Sequence, residues 1–271
     1  MEPALPLPQL EPTTLHTIVI RLGAAKEGTV PALGRAIHAQ VLDWIRLADP
    51  DTSEAIHQAQ VSPLSLSGLI GRRHRGRVRA GDELYFRIGL LDGSLITPLL
   101  DGLEQRGDEP LSLAKFPFVF RSVDMLPGAD PWVGSSDYAL LAKTPIATND
   151  ITLKFLSPTS FKLKSGQGIQ PFPLPENVFG SLERRWNVFA PEALRLPRIL
   201  WGGLVAQYEL KTQSLRMENS VEIGAVGKVR YRFPDPEQAR LATMLSQFAF
   251  FAGVGRKTTM GMGQVILDQK R

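Results

Sequence analysis

The apolar periodicity of this chain runs through strand, helix, strand, strand, helix, strand, and then through the same order again. Thr17 to Leu22 alternates as a strand does. After Gly23 to Val30, Pro31 opens a helix with Leu33, Ile37, Val41, Trp44 and Ile45 at helical spacing, closed before Asp49-Pro50. A short helical stretch, Ser53 to Gln58, leads through Ser62-Pro63 to a strand from Leu64 to Ile70. A strand from Glu83 to Leu91, a helix near Ser94 to Glu104 and strand-like segments at Leu111–Leu113 and Phe116–Ser122 follow. Pro127 to Asn149, rich in Gly, Pro, Ser and Asp, breaks the pattern and reads as a crossover. A second round begins at Ile151, with helices over Asn177–Val188 and from Pro236, and strands around Leu200–Lys211, Val226–Arg232 and Gln264–Leu267. This is the order of a split βαβ unit. The expected class is α+β, two tandem ferredoxin-like (RRM-like) domains at residues 1–140 and 141–271, with no repeat of residue identity between them.

Composition narrows the setting. The 271 residues are 43% hydrophobic, enough for two cores of ordinary size. No run approaches the roughly 18 to 20 apolar residues that span a bilayer. The start, Met-Glu-Pro-Ala-Leu-Pro-Leu-Pro, is acidic and proline-broken, unlike an export signal. The absence of cysteine excludes disulfides, thiolate zinc sites and a cysteine nucleophile. A cytoplasmic protein with no membrane partner, no metal site and no cofactor is expected. Carboxylate pairs such as Asp49/Asp51 and Asp235/Glu237 sit at helix ends, where capping accounts for them.

The charge is unevenly spread. Arg72-Arg73-His74-Arg75-Gly76-Arg77-Val78-Arg79 holds five arginines in eight residues. A solvated hairpin tip usually mixes signs, so a polyanion partner is the better reading.

"FFAGVGRKTTMGMGQV", Phe250 to Val265, surrounds Arg256-Lys257-Thr258 with Gly253, Gly255, Gly261 and Gly263. It fits neither the dinucleotide fingerprint nor the P-loop. It runs from a helix C-terminus into a strand, so the helix dipole would repel an anion, and a phosphate there would need backbone N–H groups with Arg256 and Lys257. The plain alternative is a helix-to-strand turn that needs glycine for positive φ. A nucleotide-dependent enzyme is disfavoured.

This loop, together with "SPTSF", "PFPLPENVFGSLERRWNVF" and "HQAQVSPLSLSGL", resembles the CRISPR-associated repeat-processing endoribonucleases, the Cas-six family of the RAMP superfamily. The resemblance implies binding of CRISPR repeat RNA in precursor transcripts and metal-independent cleavage leaving a 2′,3′-cyclic phosphate. It also implies that the glycine-rich loop supports the RNA or the cleft near it. The alternative is a repeat-RNA-binding subunit that does not cut. A CRISPR effector complex is a further possible partner, and the chain could be a monomer or a homodimer.

Such cleavage needs a base at the 2′-hydroxyl, an acid at the 5′-oxygen and positive charge at the phosphate. Of the four histidines, His16 reads as a surface residue and His74 as a bystander among arginines. His38 follows Arg35 by three residues on the first helix, where the cation would depress its pKa; otherwise it is a helix-surface histidine. His57 precedes the "SPL" strand, as a histidine does in similar sequences, or is a core-edge histidine. His38 and His57 are the candidate proton-transfer pair, base and acid unassigned. The family often uses tyrosine, histidine and lysine near the first helix. Here that helix has neither tyrosine nor lysine, and Arg35 becomes the candidate for stabilising the phosphate. Arg184 and Arg185, beside Trp186, are expected to face RNA with Arg72, Arg73, Arg75, Arg77 and the glycine-rich loop.

Overall fold

The computed structural model describes residues 12–107, 109–145, 148–163, 166, 168–218 and 220–268, so the proline-rich start lies outside the described residues. The first half carries β1 (Thr14–Ala24), α1 (Gly34–Ala48), α2 (Pro50–Gln58), β2 (Leu64–Leu66), β3 (Ile70–Gly71), β4 (Glu83–Leu90), α3 (Ile96–Gln105), β5 (Leu111–Leu113), β6 (Phe116–Asp124), β7 (Gly134–Asp137) and α4 (Tyr138–Ala142). The second carries β8 (Asp150–Thr159), β9 (Phe161–Lys162), β10 (Ile169–Gln170), α5 (Pro175–Phe189), β11 (Leu204–Arg216), β12 (Val221–Arg232), α6 (Pro236–Ala252) and β13 (Val265–Leu267). The first sheet has the order β2-β4-β1-β6-β5, with β3 on β4 and β7 on β1; the second has the order β11-β12-β8-β13. In each, the first main strand lies between the last and the third, the arrangement of a ferredoxin-like fold.

Each sheet buries its alternating residues under its helices. In the first core Trp44 of α1 stacks on Phe86 of β4 at 6.3 Å. Gly102 lets α3 approach, since a Cβ there would lie 1.7 Å from the Trp44 carbonyl oxygen. In the second core Phe179 of α5 meets Tyr231 and Phe233 edge-on at 5.4 and 5.0 Å.

The halves are joined by two buried arginines, each reaching from one half into the other. Arg87 of β4 donates to Gln264 Oε1 (2.9 Å), the Phe250 carbonyl (3.1 Å) and the Trp132 carbonyl (3.4 Å). Its guanidinium lies over the Phe250 and Trp132 rings. Arg185 of α5 donates to the Ala252 carbonyl, to Thr258 Oγ1 (3.0 Å), and to the Ser62 and Leu64 carbonyls (both 3.1 Å). Phe250 and Ala252 belong to the last turn of α6, so both cations sit at the negative end of that helix. Burial pulls both pKa values down to about 10, which leaves them charged at neutral pH.

Four expectations need correction. β1 starts at Thr14, because Thr14–Thr17 pair with β7 inside the segment read as irregular crossover. Of α4 in that segment, Tyr138 and Leu141 enter the second core. The strand read over Leu64–Ile70 is interrupted at Ser67, whose amide still donates to the Arg87 carbonyl (3.1 Å) but whose hydroxyl accepts from the Arg87 amide (2.8 Å), and which bridges to Gly261. The first helix begins at Gly34, three residues after Pro31, where a Cβ would lie 2.3 Å from the Met260 carbonyl oxygen.

Replacing Arg87 by methionine removes the cation while keeping volume, and leaves buried acceptors unfilled. The expected cost is about 3 kcal/mol, read as a lower urea midpoint at unchanged slope. A midpoint equal to wild type would show that the contacts across the halves do not depend on this guanidinium.

Candidate active site

α1 turns Ile37, Val41, Trp44 and Ile45 into the core, which leaves His38 half-buried at the margin of that stripe. α2 is capped by Asp49, which accepts from the Thr52 amide (3.0 Å), buries Ile56, and exposes His57 in its last turn. Both imidazoles line one open cleft of about 730 Å³ with Arg184, Lys162, Arg256 and Lys257. The His38 pKa is lowered, first by burial and then by the neighbouring His57. The expected effect of Arg35 is therefore not the cause. That side chain is exposed, faces Glu218 at 3.5 Å, and lines the adjoining hollow near Met260.

The glycine-rich loop forms one wall of the cleft, and its backbone is largely spent on the fold. The Gly253 amide donates to Ala249, Val254 to Gly263, Arg256 to Ser160 and Gly263 to Pro158. The Gly255 amide donates to Ser181 Oγ (3.0 Å). Gly255 and Gly263 have φ of 83° and 73°, and a Cβ would fall 2.5 Å from the Ser160 carbonyl oxygen or 2.2 Å from that of Val254. Gly253 and Gly261 also have positive φ. The glycines thus serve close packing and brace the loop as a wall of the cleft. Thr258 is buried against Arg185, and the Thr258 carbonyl accepts from Leu66 (2.8 Å).

Arg256 and Lys257 reach the cleft but share one carboxylate: Glu222 of β12 lies 2.8 Å from Arg256 Nη1 and 2.5 Å from Lys257 Nζ. These cations hold the Glu222 pKa down.

Comparison with known proteins decides the family. The sequence profile described as CRISPR-associated endoribonuclease Cas6 matches residues 153–265. A Thermus thermophilus Cas6 product complex superposes with a TM-score of 0.82 at 23% identity, over 94% of this chain and 100% of that one. A second Cas6 product complex, 30% identical, covers the same shares with a TM-score of 0.77. The chain belongs to the Cas6 family. A Cas6 substrate-mimic complex, 29% identical over 94% of this chain and 100% of that one, has a TM-score of 0.74. No curated protein matches by sequence.

Within this Cas6 protein, the structure brings His38, His57, Arg184, Gly255, Arg256, Lys257 and Thr258 to one cleft. Arg72, Arg73, Arg75 and Arg77 are exposed on a hairpin closed by paired His74 and Arg77, outside the residues that line it. Arg185, expected to face RNA, also lines the cleft, but it is 4% exposed and its guanidinium is spent on contacts that hold the halves together. The signal was present: Arg185 lies three residues after Leu182 and seven after Val178, on the apolar stripe of α5, whereas Arg184 falls outside it. Lys162 and Glu222 went unnoticed. Lys162 adjoins the "SPTSF" motif, but nothing in the sequence marks Glu222 as a partner of residues more than thirty positions away.

Followed by NMR, the His38 ring should titrate below the ordinary value of 6.5. In His57→Gln the midpoint should rise, because a like charge is removed, yet stay depressed by burial. A midpoint unmoved by that substitution would show the imidazoles to be electrostatically independent.

Proposed function

We propose that this Cas6 protein cuts CRISPR repeat RNA in precursor transcripts without a metal, by attack of the RNA's own 2′-hydroxyl, leaving a 2′,3′-cyclic phosphate and a 5′-hydroxyl. The observation that carries the reading is the meeting of two imidazoles and several cations in one cleft of a Cas6 fold. His38, kept neutral by its lowered pKa, takes the 2′-hydroxyl proton; His57, exposed at the cleft margin, returns one to the 5′-oxygen. Arg184 and Lys162 offset charge at the crowded phosphate. Arg35 and the arginines at 72, 73, 75 and 77 hold flanking phosphates.

Related solved structures support this choice of ligand and chemistry. Two Cas6 relatives carry product, and one carries a substrate mimic. A Cas6 28% identical to this chain was solved as a histidine-to-alanine mutant. A RAMP protein sharing the fold is described as binding different RNA substrates.

With labelled repeat RNA and saturating enzyme, cleavage should persist in EDTA and vanish when the nucleotide 5′ to the cut lacks its 2′-hydroxyl. His38→Ala and His57→Ala should each slow the single-turnover rate about a hundred- to ten-thousand-fold with RNA affinity nearly intact. The acid limb of the wild-type rate profile should fall below pH 6.5, since His38 must be unprotonated to act. Cleavage of the deoxy substrate would overturn the mechanism. RNA binding with no cleavage under any condition would favour a non-cutting repeat-RNA subunit.

Three of the arginines on the hairpin tip, Arg72, Arg73 and Arg75, are expected to supply affinity alone. Their joint replacement by alanine should flatten the salt dependence of binding by roughly 0.7 log units of slope per lost contact. An unchanged slope would return them to a solvated tip.

A further inference from the structure

β11 is the outer strand of the second sheet, and its 13 residues are exposed at most positions. At about 3.3 Å per residue it presents an edge of about 43 Å. Long bare edges invite pairing and are normally blunted by proline, a bulge or charge. β11 has no proline, and its bulge lies near one end, between Val205 and Gln207.

The hairpin fixes which backbone groups face outward. The Met217 amide donates to the Ser220 carbonyl (2.8 Å), and β11 is in register with β12 from Arg216↔Val221 back to Gln207↔Arg230. Since hydrogen-bonded positions alternate along an antiparallel ladder, residues 215, 213, 211 and 209 bond to β12. The N–H and C=O groups of Ser214, Thr212, Leu210 and Tyr208 therefore point away from the sheet.

The sequence along this edge complements itself. A two-fold axis through Leu210 sets Leu210 against its own copy, Tyr208 against Thr212 and Glu209 against Lys211. Gln207 then meets Gln213. The outward positions fall on hydrogen-bonded pairs, and Glu209 and Lys211 fall on the intervening closer pairs, where opposite charges attract. The symmetry supplies each such pair twice.

We propose that β11 is a homodimer edge: two copies of the chain pair antiparallel about Leu210 and join their four-stranded sheets into one of eight strands. Lys211, which on a lone edge would act as a guard, becomes the register pin.

The chain has no cysteine, so single introduced cysteines report the register directly. Under mild oxidation, Leu210→Cys should yield a covalent dimer, because facing Cα atoms in such a pair lie about 5.5 Å apart, within disulfide reach. Ser214→Cys should not, because its copies would be roughly 26 Å apart. Sedimentation of the wild-type chain should approach twice 29.9 kDa with rising concentration. Lys211→Glu should weaken self-association about ten-fold or more, and Thr212→Pro, which removes an outward donor, should abolish it. Circular dichroism would verify that both variants fold. A monomer mass up to about 100 µM, or cross-linking of Ser214→Cys as strong as that of Leu210→Cys, would overturn the proposal.

Discussion

The C-terminal turn of α6 ends inside the protein, where its carbonyl groups need donors and its dipole needs positive charge. Its own last turn contains no basic residue. Arg87 from the first sheet and Arg185 from the second half supply both. Among the described residues neither is hydrogen-bonded to a carboxylate; carbonyl oxygens, side-chain oxygens and, for Arg87, aromatic faces surround the charge. The same guanidinium that closes the helix also binds Ser62 and Leu64, just after the helix that carries His57. The relative position of the two sheets and the shape of the cleft thus rest on one helix end.

The glycine-rich loop belongs to that arrangement. It leaves α6 directly, turns back through positive-φ glycines and lays Thr258 against Arg185. Substituting an L-residue at Gly255 or Gly263 would strain φ and also drive a Cβ into neighbouring backbone. Glycine here is a packing requirement, and the cations between the glycines are what the loop offers to the cleft.

Much of the architecture was legible because helices and strands in this chain carry clean periods of their own: Ile37, Val41, Trp44 and Ile45 mark α1 without outside help. β7 was not, since Gly134–Asp137 has no apolar alternation and is a strand only because β1 pairs with it. At the site, His38 and His57 could be chosen by residue type, but their common cleft arises from the packing of α1 beside α2, which periodicity does not encode. The Arg184-Arg185 pair shows the limit well. Adjacent residues on a helix differ by about 100° in direction, so one faces solvent and the other the core, and only the flanking Val178 and Leu182 tell which.

The contacts that build the cleft wall join residues far apart in the chain: Arg185 to Ser62, and Gln264 to both Arg87 and Ser65. During synthesis from the N-terminus, the first sheet can be complete while α6, the loop and Gln264 do not yet exist. His38 and His57 then stand on a finished surface with no opposite wall. The site comes into being only once α6 and the loop after it have been made, so a nascent or truncated chain that lacks them would carry its histidines without being able to use them.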